Sequence, residues 1–151
     1  MTITTESSRL AELAKEASAE AVALATAVLE GDLANRAWQD QVGSSLTQRD
    51  AARLLGRTEQ AVSKDRRLVR VHRPDGRPVY PVVQFDGRRQ KPGVADVVAA
   101  LDGAVNELTV AAWLTAANDA LGGHRPIDVL AAGEPEAVAA VASRFAARMR
   151  R

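Results

Sequence analysis

From about Thr5 to Gln41, apolar residues return every three or four positions, at Leu10, Leu13, Ala17, Ala21, Leu24 and Val28. That spacing predicts one long helix or two. No proline interrupts the stretch, and Glu30-Gly31-Asp32 is where it could divide. The apolar stripe is thin, and a lone helix of this kind is marginal in water. The segment must pack on the body of the protein, on a second copy or on another partner, or else stay partly disordered. Residues 41–45, Gln-Val-Gly-Ser-Ser, read as a short linker.

The pattern then tightens. Thr47 can N-cap a helix, with Asp50 three residues on, a capping-box start in which Asp replaces the usual Glu or Gln. Gly56 follows Leu55 where a positive φ is cheap, and Thr58 can cap a second helix with Glu59 in its first turn. Ala51 and Ala52 are small enough for a close crossing. Leu54, Leu55, Ala61 and Val62 would fill the space between the two helices. Together these features predict a helix–turn–helix. At 100° per residue, Gln60, Ser63, Lys64 and Arg67 share one side of the second helix, and Ala61, Val62, Asp65 and Val69 share the other.

After Arg67 the period changes again. Two β-prone runs, near 68–72 and 77–80, flank Pro74-Asp75-Gly76, a strong turn signal. They predict a hairpin placed like a wing. A second glycine turn follows at 85–89, Phe-Asp-Gly-Arg-Arg. Helices are expected again at 93–102, 107–117, 126–132 and 134–149, with Pro126 and Pro135 in first turns. In the last of these, Val138, Val141, Ala142, Phe145 and Met149 form one stripe. The expected fold is mainly α: a long N-terminal helical segment (1–45), a winged helix–turn–helix with a short β-hairpin (46–91) and a small C-terminal helical domain (92–151).

Composition fits this and narrows the chemistry. The chain has 151 residues, 46% of them apolar but only 3% aromatic, so its helices must pack closely through small side chains. There is no cysteine, which excludes disulfides and thiol chemistry and suits a reducing cytoplasm. No apolar run approaches the roughly 20 residues of a bilayer span, and no signal-peptide core opens the chain. The two histidines, His72 and His124, lack metal-ligand spacing. No phosphate loop or nucleophile elbow is present. No catalytic residue, metal or cofactor is expected.

The overall charge of +1 conceals a division. Residues 1–45 carry a net −4, residues 46–91 a net +7 and residues 92–151 a net −2. A cationic middle points to a polyanion. Amide, hydroxyl, ammonium and guanidinium groups on one helical face are those that read base edges and grip phosphates. The candidate DNA-binding residues are therefore Arg49, Thr58, Gln60, Ser63, Lys64, Arg66 and Arg67, with Arg70, Arg73 and Arg77 on the wing. The expected ligand is double-stranded operator DNA, read by a homodimer. A solvated helical hairpin, or an adaptor docking on an acidic protein, is the alternative these residues leave open.

Residues 108–146 carry a second pattern: Trp113-Leu114, then Asn118, Leu121-Gly122-Gly123, Pro126-Ile127-Asp128 and Leu130, a break at Gly133, and a closing amphipathic helix. It resembles the toxin-binding domain of Xre/MbcA/ParS-type antitoxins. The resemblance implies a type II antitoxin that represses its own operon and neutralises a RES-domain, NAD-consuming toxin. It implies that Arg144, Arg148, Arg150 and Arg151 meet that partner. The winged module departs from the family's usual N-terminal bundle and is more like that of stand-alone actinobacterial DNA-binding proteins with a similar tail. In that reading the protein is a regulator or nucleoid-associated protein without a toxin.

Overall fold

The computed structural model describes residues 2–151, with side chains from Thr5 onward. The chain is mainly helical and divides into two compact units, one ending at Ala37 and the other spanning Trp38–Arg151.

The first unit holds helix α1 (Thr2–Glu16) and most of α2 (Ala19–Val42). The division falls at Ala17-Ser18, not at Gly31. Ser18 supplies the reason, because its Oγ accepts the Ala21 N–H and starts a new helix. Gly31 is carried through the helix at a cost of about 1 kcal/mol relative to Ala. The next residue, Asp32, pairs with Arg36 at 3.0 Å in i,i+4 relation. Leu10, Leu13, Leu24, Val28, Leu29 and Leu33 all stay exposed.

In the second unit the end of α2 is followed by a short strand, β1 (Ser45–Thr47), that begins within the expected linker. Helices α3 (Gln48–Leu55) and α4 (Glu59–Lys64) follow, then strands β2 (Val71–His72) and β3 (Pro78–Pro81). β3 lies between β1 and β2, antiparallel to both, with Leu46 opposite Tyr80 and Val71 opposite Val79. A 3-10 turn at Val82–Gln84 leads to a second hairpin, β4 (Phe85–Asp86) and β5 (Arg89–Gln90). Helices α5 (Val94–Leu101), α6 (Glu107–Thr115), α7 (Pro126–Ala131) and α8 (Pro135–Met149) complete the chain, close to the spans expected.

Local signals set the helix ends. Thr47 Oγ1 accepts the Asp50 N–H and Thr58 Oγ1 the Ala61 N–H, each at 3.1 Å. Gly56 ends α3 in the left-handed region at φ 64°. Pro126 and Pro135 stand in the first turns of α7 and α8. Asp128 does not cap α7; its carboxylate accepts two bonds from the Arg125 guanidinium at 2.8 and 2.9 Å.

Two apolar clusters form the core of this unit. Ala51, Ala52, Val62, Leu68 and Tyr80 are buried together, with Leu46, Leu55 and Phe85 packed against them. The second cluster joins Val42, Val69, Val71 and Val79 to Val94, Val97, Leu101, Leu114, Ile127, Leu130 and Val138. The strands of the wing and the C-terminal helices therefore share one interior. Trp113, within that cluster, stacks at a tilt on Phe145, with ring centroids 6.2 Å apart. Met149, at the end of the expected stripe, remains half exposed, and Ala146 is buried.

Candidate nucleic-acid interface

The α3–α4 corner is a helix–turn–helix. The absence of side-chain bulk at Ala51 and Ala52 lets the helices cross, and Val62 fills the gap beneath them. On the outer side of α4, Glu59, Gln60 and Lys64 are exposed, while Ser63 is half-buried. The Thr58 hydroxyl oxygen is engaged in its cap, leaving its O–H free to donate outward.

Arg67 does not share the α4 face. The helix ends at Lys64, and Asp65 turns out of it with φ −81° and ψ 106°. The Asp65 carboxylate accepts the Arg67 backbone N–H at 2.9 Å, offering the chain an alternative to another helical turn. It also accepts from the Arg67 Nε and Nη2 at 3.1 Å each, and from Arg57 Nη1 at 2.7 Å. Burial alone would raise the Asp65 pKa. The bonds from Arg67 and Arg57 outweigh it and hold the carboxyl far below the usual range. The same bond raises the Arg67 guanidinium. Arg67 is thus a member of a three-residue ion cluster that shapes the exit from α4.

Arg70 is also committed inward. Its guanidinium is half-buried and donates to the Ser63 carbonyl at 2.7 Å, closing the C-terminal end of α4. Nearby, the Tyr80 hydroxyl is buried without a hydrogen-bond partner, and burial pushes its phenol up despite the neighbouring Arg70 charge.

The β2–β3 wing turns at Gly76, with φ 90°. Arg73 and Arg77 both lie near Oδ2 of a single carboxylate, Asp75, at 3.7 and 3.9 Å, with the Arg77 side chain still 83% exposed. Arg73 also lies over the Trp38 ring, 5.8 Å from its centroid, and Trp38 Nε1 donates to the His72 carbonyl at 3.1 Å. At the wing's base Glu107 accepts the His72 backbone N–H at 2.9 Å and contacts His72 Nδ1 at 2.8 Å.

The β4–β5 hairpin was marked in the sequence only as a turn. It is anchored by Gln84, whose side chain is fully buried. Gln84 Oε1 accepts the Val69 N–H, and its Nε2 donates to the Val69 carbonyl, both at 2.8 Å. Gln90 Nε2 donates to the Arg67 carbonyl at 2.7 Å and to Gln84 Oε1 at 3.2 Å. Phe85 packs beneath the helix–turn–helix. The hairpin is therefore fixed against the segment leaving α4, with Arg88 and Arg89 exposed at its turn.

The twelve cations of residues 46–91 now separate. Arg57, Arg67, Arg70, Arg73 and Arg77 have internal partners. Lys91 acts on Asp128 of α7. Among the described residues, the side chains of Arg49, Arg53, Lys64, Arg66, Arg88 and Arg89 are exposed and make no ion pair or hydrogen bond. Lys64, Arg66 and Arg67 line a cleft of about 740 Å³ together with Ala95, Val98 and Ala99.

In the C-terminal helices, Arg150 is not a free cation. Its Nη2 donates to the Asp102 carbonyl at 2.8 Å and to that of Ala100 at 3.4 Å, closing the end of α5. Arg144, Arg148 and Arg151 are exposed. The Leu121-Gly122-Gly123 motif closes a 3-10 turn (Asp119–Leu121), with both glycines at positive φ and Asn118 capping the turn through the Ala120 N–H. Among the described residues, no group of three or more His, Asp or Glu could hold a metal ion. No helix of the described residues is long and apolar enough to cross a membrane.

No family model and no curated protein matches the chain. Among solved structures it is similar to the NMR structure of Rv2175c, with 24% identity and a TM-score of 0.58. The likeness covers 68% of this chain and 81% of that one. At this identity it is a likeness of fold.

Proposed function

We propose that this protein is a cytoplasmic transcriptional regulator that binds duplex DNA through α4 and the cations around it. The observation that carries the reading is the exposed Gln60 amide on the second helix of a helix–turn–helix, together with six cations without ion pairs, Lys64 of that helix among them. Gln60 can pair with adenine and Lys64 with guanine or phosphate. Thr58, Ser63, Arg49 and Arg66 supply backbone contacts. Fluorescence anisotropy with labelled duplex across a salt series tests it. If each of the six cations meets one phosphate, log K falls against log salt with a slope of about −5. Lys64→Ala should cost about 1–3 kcal/mol. Absence of binding at low salt refutes the reading.

The DNA-binding unit works as a homodimer in this reading, with the exposed leucines and valines of α1 and α2 as the joining surface. A helix in water does not sustain so many bare apolar side chains alone. Light scattering of the full chain, against Leu24→Glu with Leu33→Glu, tests this. A wild-type monomer at high concentration sinks it.

The C-terminal resemblance supports a finer role, the antitoxin of a RES-domain toxin. Met149 and the arginines 144, 148 and 151 form the exposed end of α8 that such a partner would meet. Co-expression with a RES protein encoded beside the gene tests this role. Unrelieved toxicity leaves a stand-alone regulator.

A further inference from the structure

The sequence marks the Pro74-Asp75-Gly76 wing as the cationic arm beside the recognition helix. The charges in the folded chain are arranged otherwise. Arg73 and Arg77 share the Asp75 carboxylate, Arg73 is drawn onto Trp38, and Glu107 adds a second carboxylate at the wing's base. A phosphate approaching this wing meets the exposed Asp75 carboxylate along with the two guanidinium groups.

The β4–β5 hairpin has the opposite arrangement. Arg88 and Arg89 are exposed, and neither side chain makes an ion pair or hydrogen bond among the described residues. Asp86, the backbone register partner of Arg89, makes no ion pair with it. The hairpin is also held in place. Gln90 ties it to the Arg67 carbonyl, Gln84 ties its base to both backbone groups of Val69, and Phe85 packs under α3 and α4. A cation on a fixed support loses less freedom on binding than one on a loose loop.

We infer that the β4–β5 hairpin, through Arg88 and Arg89, is the arm that grips the DNA backbone beside α4, and that the β2–β3 wing contributes little charge to binding. This rests on the DNA-binding reading above and assigns its second contact. The ligand chemistry is the phosphate backbone of duplex DNA, met without regard to sequence.

The experiment compares three full-length chains: wild type, Arg88→Ala with Arg89→Ala, and Arg73→Ala with Arg77→Ala. Each is titrated onto a fluorescein-labelled random-sequence duplex from about 50 to about 200 mM salt. Circular dichroism melts confirm that the exposed substitutions leave the fold intact. Loss of Arg88 and Arg89 should flatten the log K against log salt slope by about 2, one phosphate per arginine. Affinity at the lowest salt should fall at least about tenfold. Loss of Arg73 and Arg77 should change the slope by less than about 1. Equal losses in the two variants, or a larger loss from the wing, overturn the inference while leaving DNA binding in place. A wild-type chain that binds no duplex removes the DNA reading itself, and the hairpin's role with it.

Discussion

Replacing Asp65 with Asn tests whether the exit from α4 is set by charge. The Asp65 side chain is 6% exposed and accepts four bonds, one from Arg57 and three from Arg67. Asparagine keeps the shape but presents an NH2 where a guanidinium already donates. One hydrogen bond to a charged group is worth about 1.5–3 kcal/mol. The four are not additive, and the Arg57 and Arg67 side chains, 35% and 73% exposed, can turn to water once released. We therefore expect a loss of about 2–3 kcal/mol at neutral pH, against roughly 5–15 kcal/mol for a whole domain. For a unit of this size that lowers the melting temperature by about 10 °C. Arg67→Ala should cost much less, because its loss leaves Arg57 on the carboxylate. The pH dependence has a fixed sign. Asp65 is depressed in the folded chain and titrates near 3.9 when unfolded. Its contribution is full above that unfolded value and drains away as pH falls towards the folded one. The gap between wild type and Asp65→Asn should thus be widest at pH 7 and begin to close below about pH 4. Thermal melts followed by circular dichroism at pH 7 and pH 3 read both effects. A shift below about 2 °C at pH 7, or a gap that does not narrow in acid, refutes the argument.

Two glycine comparisons follow from geometry. Gly93 has φ 90°, and a Cβ there would stand 2.5 Å from Leu130 Cδ2 and 2.9 Å from Pro135 Cβ. Gly93→Ala should cost about 3 kcal/mol or more, whereas Gly56→Ala, with open space around it, should cost only the left-handed backbone penalty of about 1–2 kcal/mol. Equal losses in urea unfolding would show that packing at Gly93 has been misjudged. Gly31 lies inside α2 with nothing near it, so Gly31→Ala should raise helicity and stabilise that segment by about 0.5–1 kcal/mol. A loss of ellipticity at 222 nm in that variant would be the contrary result.

What the sequence made legible was local. Thr47, Gly56 and Thr58 mark helix ends by chemistry that acts over three or four residues, and the structure places them as caps. The expected spans of the C-terminal helices are correct to a residue or two; Pro126 and Pro135 mark first turns, and α8 carries a long apolar stripe. The failures were of another kind. Strand β1 has only three residues, too few for the alternation of Ser45, Leu46 and Thr47 to stand out, and only pairing with distant β3 makes it a strand. Counting 100° steps assigns Arg67 to the outer face; Asp65 is inward as expected, but its side chain ends the helix before the count reaches Arg67. Gln84 carries no sign that it will be buried, since its partners on Val69 lie fifteen residues away. Arg73 and Arg77 looked as free as Arg88 and Arg89, because a sequence shows charges and not which of them are already answered.

The shared interior also decides whether the winged module can exist apart from the C-terminal helices. Val42, Val69, Val71 and Val79 are each at most 5% exposed, and they are buried in the cluster that contains Val94, Val97, Leu101, Leu114 and Ile127. Cutting after Lys91 removes the residues opposite them. A buried valine contributes about 1.5–3 kcal/mol, so the four together put roughly 6–12 kcal/mol at risk, the scale of a domain's whole stability. The cut also removes Glu107, which accepts the exposed His72 backbone N–H. A chain ending at Lys91 should therefore show no cooperative melt, and it should lose salt-dependent duplex binding together with its fold. A cooperative transition in that truncated chain would mean that the cluster of Ala51, Ala52, Val62, Leu68 and Tyr80 suffices alone. If it does not, a partner that grips α8 acts on a body continuous with the wing. Any effect it has on DNA binding then passes through packed valines and not along a linker.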